Sequence, residues 1–173
     1  MSSKNIRNLV RKAQNGDVEA FGELYEIYAK DMFRFAWYYT GAEAAAEDCV
    51  SEAALAAFQK ITELRKAEAF KSWLFKILFN CCKKSQKAKI IQLNNEQTVD
   101  ENESSYDESE KIDSIALKKA MEKLDEQERE ILILYYSCGY TSKEIGDITG
   151  LNQSSVRSKI SRSTAKMRTF LSL

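Results

Sequence analysis

The sequence contains no proline and only six glycines among its 173 residues. Since these two residues most readily interrupt regular backbone, few interruptions are available along the chain. Alanine, leucine, glutamate and lysine, which all favour helix, are abundant instead. The composition therefore predicts an all-α protein.

Histidine is also absent, and cysteine is scarce. Histidine is the most common general acid or base at neutral pH, so its absence weighs against many enzymatic mechanisms. The four cysteines, Cys49, Cys81, Cys82 and Cys138, lack the short-spaced pairs typical of zinc sites. We therefore expect buried free thiols, and no metal site, cofactor, small-molecule substrate or enzymatic activity. The alternative is an enzyme with Cys81 or Cys138 as its nucleophile, without a histidine to activate it.

Long apolar runs are missing as well, since none approaches the roughly 20 residues needed to span a bilayer. The amino-terminal segment MSSKNIRNLVRKAQNGD lacks the apolar core of a secretory signal. The sequence therefore predicts a cytoplasmic protein with no direct membrane insertion.

Charge is segregated along the chain, although the formal net charge is zero. Residues 1–89 carry 15 basic and 11 acidic residues, a net charge of +4. Residues 90–113 carry one lysine and eight acids, a net charge of −7. Residues 114–173 return to +3, with 10 basic and seven acidic residues.

Two stretches contain basic residues but no acid. The first lies between Glu68 and Glu96, and the second runs from Ile148 to Leu173. Two such stretches with a helix-like pattern are the electrostatic footprint of a protein that binds a polyanion. For either stretch alone, the alternative is an ordinary solvated helix face. The basic residues are Lys71, Lys76, Lys83, Lys84, Lys87 and Lys89 in the first stretch, and Arg157, Lys159, Arg162, Lys166 and Arg168 in the second.

The acidic segment 94–110 has only Val99 and Tyr106 as larger apolar or aromatic residues. It cannot bury enough apolar surface to offset the entropy lost on ordering. We therefore predict a flexible acidic linker over residues 90–112, between two small helical domains at 1–89 and 113–173.

In the first domain, Asp17 is a suitable N-cap for a helix over 18–39. A short helix over 5–13 precedes it, and helices over 43–61 and 69–88 follow. Apolar residues at three- and four-residue steps give these helices an inward face and predict a bundle. The predicted inward residues of the last three helices are Phe21, Leu24, Tyr25, Tyr28, Met32, Phe35, Tyr39, Cys49, Val50, Ala53, Ala57, Phe58, Ile61, Phe70, Trp73, Leu74, Ile77, Leu78 and Cys81.

In the second domain, helices over 115–124 and 128–138 precede a short helix over 142–149 and a longer basic helix over 153–170. Thr141 and Glu144 form a capping box before the short helix, and Gly150 ends that helix. Asn152 is a good N-cap for the last helix. A short helix, a glycine turn and a longer basic helix predict a helix-turn-helix. Val156, Ile160, Thr164, Met167 and Leu171 are predicted to face its core.

Five segments in this order resemble the extracytoplasmic-function (ECF) sigma factors of bacterial RNA polymerase, in the sigma-70 family. They are GDVEAFGELY (16–25), AAEDCVSEAALAAF (45–58), FKSWLFKILFNCCKK (70–84), LDEQEREILILYY (124–136) and YTSKEIGDITGLNQSSVRSKISRSTAKMR (140–168). The second is similar to the family's polymerase-clamp helix and the third to its promoter-melting helix. The clamp-helix pattern usually has glutamine and a bulky aromatic where this chain has Ser51 and Ala54.

The resemblance implies a transcription initiation factor that binds core RNA polymerase and promoter DNA and is controlled by an anti-sigma factor. For the polymerase it implies the acids Glu47, Asp48 and Glu52. For recognition and melting of the −10 element it implies Leu64, Arg65, Lys66, Lys71, Lys76, Asn80, Lys83, Lys84 and Lys87, with the loop Thr62–Glu68 capturing a base. For the −35 element it implies Thr141, Lys143, Gln153, Ser154, Ser155, Arg157, Ser158, Lys159 and Arg162.

Three assignments have alternatives. The acids of 47–52 also suit a solvated face, and the linker also suits a plain tether. Trp73 could stack on a base, but its spacing with Phe70 and Ile77 favours a place in the core. For the whole protein, the rival is a stand-alone helix-turn-helix regulator whose first domain senses a ligand or dimerises. That rival leaves the lysine-rich helix and the acidic linker unexplained.

Overall fold

The computed structural model describes residues 3–95, 116–117 and 119–171, and the side chains of 5–89, 116–117 and 119–171. Within these residues the chain is all-helical, as predicted. The first domain contains α1 (Ser3–Gln14), α2 (Val18–Thr40), α3 (Glu43–Lys60), the 3₁₀ turns Ile61–Glu63 and Ala67–Ala69, and α4 (Phe70–Asn95). The second contains α5 (helical at 116–117 and 119–122), α6 (Glu126–Leu132) with a π-helical turn over Ile133–Ser137, α7 (Ser142–Thr149) and α8 (Gln153–Phe170).

The predicted helix ends follow from local hydrogen bonds. Asp17 accepts a hydrogen bond from the Ala20 N–H at 3.0 Å and so begins α2, as predicted. Thr141 and Glu144 form the predicted capping box of α7, and Asn152 accepts from the Ser155 N–H at 2.8 Å at the start of α8. Short-range signals therefore predicted these ends correctly.

Two glycines shape the helix-turn-helix. Gly150 ends α7 with a φ of 77°, in the left-handed region that glycine adopts without strain. Gly146 lies inside α7, where a Cβ atom would approach the Leu151 carbonyl oxygen to 2.6 Å. This close approach brings the turn down onto α7 and thereby sets where α8 begins.

Several predicted boundaries were wrong. α4 continues to Asn95, beyond the predicted end at residue 88, because no proline or glycine interrupts it. Residues 90–95, predicted as linker, are therefore helical, and the rest of the predicted linker lies outside the described residues. α6 begins at Glu126 rather than residue 128, since Asp125 and Glu128 form a capping box that the sequence reading missed.

The first domain packs its helices around a core that includes Leu24, Met32, Phe35, Phe75 and Leu78, each at most 1 % exposed. Phe58, predicted to face this core, is 41 % exposed. Ala53 and Ala57 are the residues of α3 that face the core here. Phe58 directly follows Ala57, so the turn of the helix rotates its side chain away from that face. The ring of Phe58 instead contacts Phe21 edge-on, with 5.1 Å between centroids.

The second domain packs α6, α7 and α8 around Ile131, Leu134, Ile145 and Val156, which are all fully buried. The two domains are also in contact, with α4 against α7 and α2 against the π turn. No helix among the described residues is long and apolar enough to cross a membrane.

Candidate nucleic-acid interface

The first candidate surface is the amino-terminal half of α8. Gln153, Ser154, Arg157 and Ser158 are exposed there, and Val156 turns inward with no exposed surface. Because α8 contains no acid and its amino terminus carries the positive end of the helix dipole, this surface is electropositive. The remaining predicted residues of this helix are Ser155 and Lys159, which are half-buried, and Arg162, which is exposed.

One flanking residue, Thr141, differs from the rest of the predicted −35 set. The Thr141 hydroxyl donates to Glu144 Oε2 at 2.8 Å and accepts from the Glu144 N–H at 3.3 Å, so the cap occupies it. Lys143 is exposed beside it. Further along, Lys166 forms an ion pair with the buried carboxylate of Glu128.

An open groove of about 430 Å³ borders this surface. Tyr135 and Tyr136 line it from the π turn, and Arg157 and Arg168 line it from α8. The Tyr136 hydroxyl forms a hydrogen bond with Thr164 Oγ1 at 3.1 Å. The sequence reading missed these two tyrosines. The feature of the sequence that could have indicated them is their position directly after the apolar run Ile131–Leu134, which is buried throughout.

The second candidate surface is the lysine track of α4. Lys76 and Lys87 are exposed, as is Asn80. Lys84 Nζ lies 3.1 Å from Glu52 Oε1, which joins the track to the predicted polymerase-binding acids.

The loop before α4 rests on α1. Gln14 Nε2 donates hydrogen bonds to the Ile61 oxygen at 3.0 Å and to the Leu64 oxygen at 2.7 Å. Arg65 and Lys66 are exposed, but the Leu64 side chain is buried. Leu64 therefore does not share a surface with the other predicted −10 residues, because the loop turns it into the core.

Trp73 is half-buried and packs against the core, and its ring centroid lies 6.0 Å from that of Phe70. This placement agrees with the structural role that the helical spacing favoured.

The third candidate surface is the exposed face of α3. Glu47, Asp48 and Glu52 are all exposed there, as is Ser51, and Ala54 is half-buried. The sequence reading missed Leu55, which is 58 % exposed. Positions 48, 52 and 55 are spaced four and three residues apart, which is the signal that places them on one helix face.

A further set of residues joins the two domains, and we call it the interdomain seam. Its centre is Tyr140, which is 4 % exposed. The Tyr140 ring lies edge-on to Phe75 at 5.2 Å between centroids, Lys71 Nζ is 3.5 Å from the ring centroid, and the hydroxyl donates to Asp31 Oδ2 at 3.4 Å. The seam consists of Asp31, Arg34, Tyr39, Lys71, Phe75 and Lys83 from the first domain and Glu126, Ser137, Tyr140 and Glu144 from the second.

Two lysines of the α4 track belong to the seam. Lys71 Nζ lies 2.7 Å from Glu144 Oε1, and Lys83 Nζ lies 2.8 Å from Glu126 Oε2. Burial alone would raise the pKa of Glu144, but the hydrogen bonds from Lys71 and Thr141 outweigh it and hold the pKa below its usual value. In the same way, the bonds from Lys83 and Tyr39 outweigh burial and lower the pKa of Glu126. Both acids are therefore charged at neutral pH.

The sequence analysis offered Cys81 and Cys138 as the alternative nucleophiles. Cys49, Cys81 and Cys82 are buried, and Cys138, predicted to be buried, is half-buried. Burial raises the pKa of Cys81 to about 11 and that of Cys138 to about 12. Raised pKa values keep these two thiols protonated at neutral pH, which weighs against either of them as an activated nucleophile. In the described part of the chain, no three metal-ligating side chains cluster.

Comparison with family models and with known proteins indicates which family the chain resembles. Residues 24–89 match the family model for sigma-70 region 2, and residues 114–167 match that for sigma-70 region 4. The ECF RNA polymerase sigma factor BldN of Streptomyces coelicolor is 30% identical over 162 residues, covering 90% of this chain and 61% of BldN. The probable RNA polymerase sigma factor RfaY of Xanthomonas campestris pv. campestris is 27% identical, covering 90% of this chain and 41% of RfaY. The chain thus spans less than two thirds of these two relatives.

Among solved structures, CnrH in complex with the cytosolic domain of CnrY has the same fold, with a TM-score of 0.77 and 21% sequence identity. The match covers 97% of both chains. It therefore includes both helical domains.

Proposed function

The chain belongs to the ECF group of the sigma-70 family, and from this membership we propose that it is an alternative sigma factor that binds core RNA polymerase and directs it to specific promoters. The observation that carries the proposal is the presence of sigma-70 regions 2 and 4 on one chain, each with a basic helix that presents side chains to solvent. In this proposal the chain is a non-enzymatic, cytoplasmic protein.

For the −35 element, we propose that α8 enters the major groove by its amino-terminal end. Recognition helices contact base edges with these residues, while flanking residues contact phosphates. The exposure of Gln153, Ser154, Arg157 and Ser158 supports this assignment. Arg157 is the residue best suited to a bidentate contact with guanine. Thr141, Lys143, Lys159 and Arg162 would lie near the backbone, with Thr141 limited by its cap.

For the −10 element, the proposed track is formed by the lysines of α4 together with the loop that precedes it. Strand opening needs cations for the phosphates and a place for an extruded base. The exposure of Arg65, Lys66, Lys76, Asn80 and Lys87 supports this role. Lys71, Lys83 and Lys84 complete the track once they leave their carboxylate partners.

For the polymerase, we propose that Glu47, Asp48 and Glu52 meet basic residues of the clamp. Their common exposure on α3 supports this, and the nearby Leu55 provides apolar surface beside them. We also propose an anti-sigma partner, because the sigma factor RpoE from Bartonella quintana, which has a similar fold, was solved in complex with the anti-sigma factor NepR.

Run-off transcription tests the proposal. The purified chain is added to core polymerase without any other sigma factor, over a library of promoter fragments. A sigma factor yields discrete transcripts from a subset of promoters. A stand-alone regulator gives none until a second sigma factor is supplied, and that outcome would replace the proposal with its rival.

A further inference from the structure

Three of the four cysteines lie together where α3 packs on α4. Cys49 of α3 is 2 % exposed, Cys82 of α4 is fully buried, and Cys81 is 9 % exposed beside them. Cys49 shares its side of α3 with the buried Ala46 and Ala53, at helical steps of three and four residues. Because these two neighbours are small, they let α4 approach this stretch of α3 closely.

The thiols of Cys49 and Cys82 are hydrogen-bonded to each other. The bond from Cys82 lowers the pKa of the Cys49 thiol, and a bond from the Ser85 hydroxyl acts in the same direction. Burial and the charges of Glu52 and Asp48 oppose this effect without cancelling it. Donation of that bond, together with burial, raises the pKa of Cys82. The pair therefore combines a thiol that ionises more readily with a protonated thiol in contact with it.

The other two cysteines lack this arrangement. Side chains of adjacent residues in a helix point about 100° apart, so Cys81 is turned away from the line that joins Cys49 to Cys82. Cys138 lies at the end of the π turn in the second domain, where its Sγ donates to the Asp31 oxygen at 3.7 Å. Cys81 and Cys138 are therefore matched controls for the pair.

We propose that Cys49 and Cys82 form a thiol–disulfide pair, which a hydroperoxide oxidises to a disulfide between α3 and α4. The Cys49 sulfur attacks one peroxide oxygen, the O–O bond breaks, and the other oxygen leaves as an alcohol or water with the Cys49 proton. The Cys82 sulfur then attacks the Cys49 sulfenic acid and displaces its hydroxyl group, which leaves as water with the Cys82 proton. The two thiols are oxidised and the peroxide is reduced. The low exposure of Cys49 restricts the oxidant to a small molecule.

The disulfide would change the contact between α3 and α4 beside the proposed polymerase surface. An S–S bond is about 2.05 Å long, much shorter than a hydrogen bond, so oxidation draws the two helices together. Glu52 and Lys84 form an ion pair across the same contact, one helical turn from Cys49 and two residues from Cys82. With the helices held closer, Glu52 stays paired and is less available to a basic residue of the polymerase. This consequence rests on the proposed function, whereas formation of the disulfide does not.

Peptide mapping by mass spectrometry tests the pair. The purified full chain is treated with hydrogen peroxide, its remaining thiols are alkylated under denaturing conditions, and the digest is analysed without reduction. We expect a peptide containing Cys49 to be joined to the peptide that contains both Cys81 and Cys82, and dithiothreitol to separate them. Cys81→Ala and Cys138→Ala should keep this link, whereas Cys82→Ala should lose it.

Cys81→Ala is the decisive variant, because Cys82 is then the one cysteine left on its peptide. It decides the assignment even where circular dichroism shows that Cys82→Ala does not fold. Absence of the link from the parent chain, or its loss in Cys81→Ala, overturns the proposal.

Affinity of the labelled chain for core polymerase tests the consequence, with peroxide removed before the two are mixed. The oxidised chain should bind about two- to fivefold more weakly than the reduced chain, which is the scale of one exposed ion pair, and dithiothreitol should restore the affinity. Peroxide treatment of Cys49→Ala should leave its affinity unchanged. Equal affinity of the oxidised and reduced parent chains overturns this consequence. A chain that forms the disulfide but binds core polymerase in neither state contradicts the proposed function and still supports the pair.

Discussion

Lys71 and Glu144 form an ion pair across the two domains, with 2.7 Å between Nζ and Oε1. Glu144 also completes the capping box at the start of the helix-turn-helix, and Lys71 lies in the first turn of α4. One carboxylate therefore supports the fold of the second domain and its contact with the first.

Arg157→Ala should weaken promoter-specific initiation. A bidentate arginine contact with a base contributes about 1–3 kcal/mol of discrimination, so the loss should be roughly 5- to 150-fold. Run-off transcription on the preferred promoter measures it. Arg168→Ala is the matched control, since Arg168 is exposed on the same helix but beyond the proposed contacts. Equal losses in the two variants would contradict base recognition by Arg157.

Glu52→Lys should weaken binding of core polymerase by roughly fivefold, or about 1 kcal/mol, because it repels the basic partner proposed for α3. Binding is measured by competition for core enzyme against a labelled parent chain. Glu52 also forms an ion pair with Lys84, which the substitution removes. Lys84→Ala removes the same ion pair but keeps Glu52, so it shows how much of the effect comes from losing the pair. Glu23→Lys, an exposed position on α2, controls for charge. Normal affinity of Glu52→Lys would remove Glu52 from the polymerase surface.

The helix-turn-helix could be predicted almost residue by residue because its determinants are local. Thr141, Glu144, Gly150 and Asn152 each act within four residues along the chain. The seam could not be predicted, because nothing near Tyr140 in sequence indicates that its ring packs on Phe75. Long-range contacts of this kind depend on how two finished domains fit, and periodicity within one helix carries no information about that.

The predicted site residues show the same difference between local and long-range determinants. Exposure of Arg157 follows from the helical period, because Val156 beside it is the core residue. The state of Lys83 does not follow from that period, since its partner Glu126 lies on another domain. A lysine-rich helix thus predicts where cations lie but leaves open what they face.

Gly146→Ala should destabilise the second domain by about 1–3 kcal/mol, because its Cβ would overlap the Leu151 carbonyl oxygen and push the turn away from α7. Thermal unfolding followed by circular dichroism measures the change. Gly22→Ala is the control, because a Cβ there meets no atom within 4 Å and alanine favours helix by roughly 0.5–1 kcal/mol over glycine. If Gly146→Ala also stabilises the chain, the close approach is not a constraint.

Tyr140→Ala should open the seam without unfolding the second domain. Tyr140 precedes α7, and the apolar contacts of Ile145 and Val156 remain in place. Amide-hydrogen exchange should rise on α4 and α7, and Tyr140→Phe should show a smaller rise because it keeps the ring and loses only the hydrogen bond to Asp31. Tyr136→Ala, at an exposed tyrosine outside the seam, is the control. Unchanged exchange on α4 in Tyr140→Ala would argue against its role as the centre of the seam.

Glu130 should give the folded chain a specific pH dependence. It is 5 % exposed, and burial, followed by the charge of Glu126, raises its pKa from 4.5 to about 7, against the opposing effect of Lys83 and Lys76. A carboxyl whose folded-state pKa is raised stabilises the fold below its unfolded value and loses that contribution as pH rises through the folded value. The free energy of unfolding should therefore fall between pH 4.5 and about 7, by at most about 3 kcal/mol.

Chemical denaturation at a series of pH values measures this slope, and Glu130→Gln should flatten it because the amide does not titrate. The chain has no histidine, so no imidazole contributes in this range. The lowered pKa values of Glu126 and Glu144 act in the opposite direction, removing stability only as pH falls below their usual value of 4.5. Glu122→Gln, which removes an exposed carboxylate from the same domain, should keep the parent slope. A slope that persists in Glu130→Gln must arise from another group, and Glu130 would then titrate normally in the folded chain.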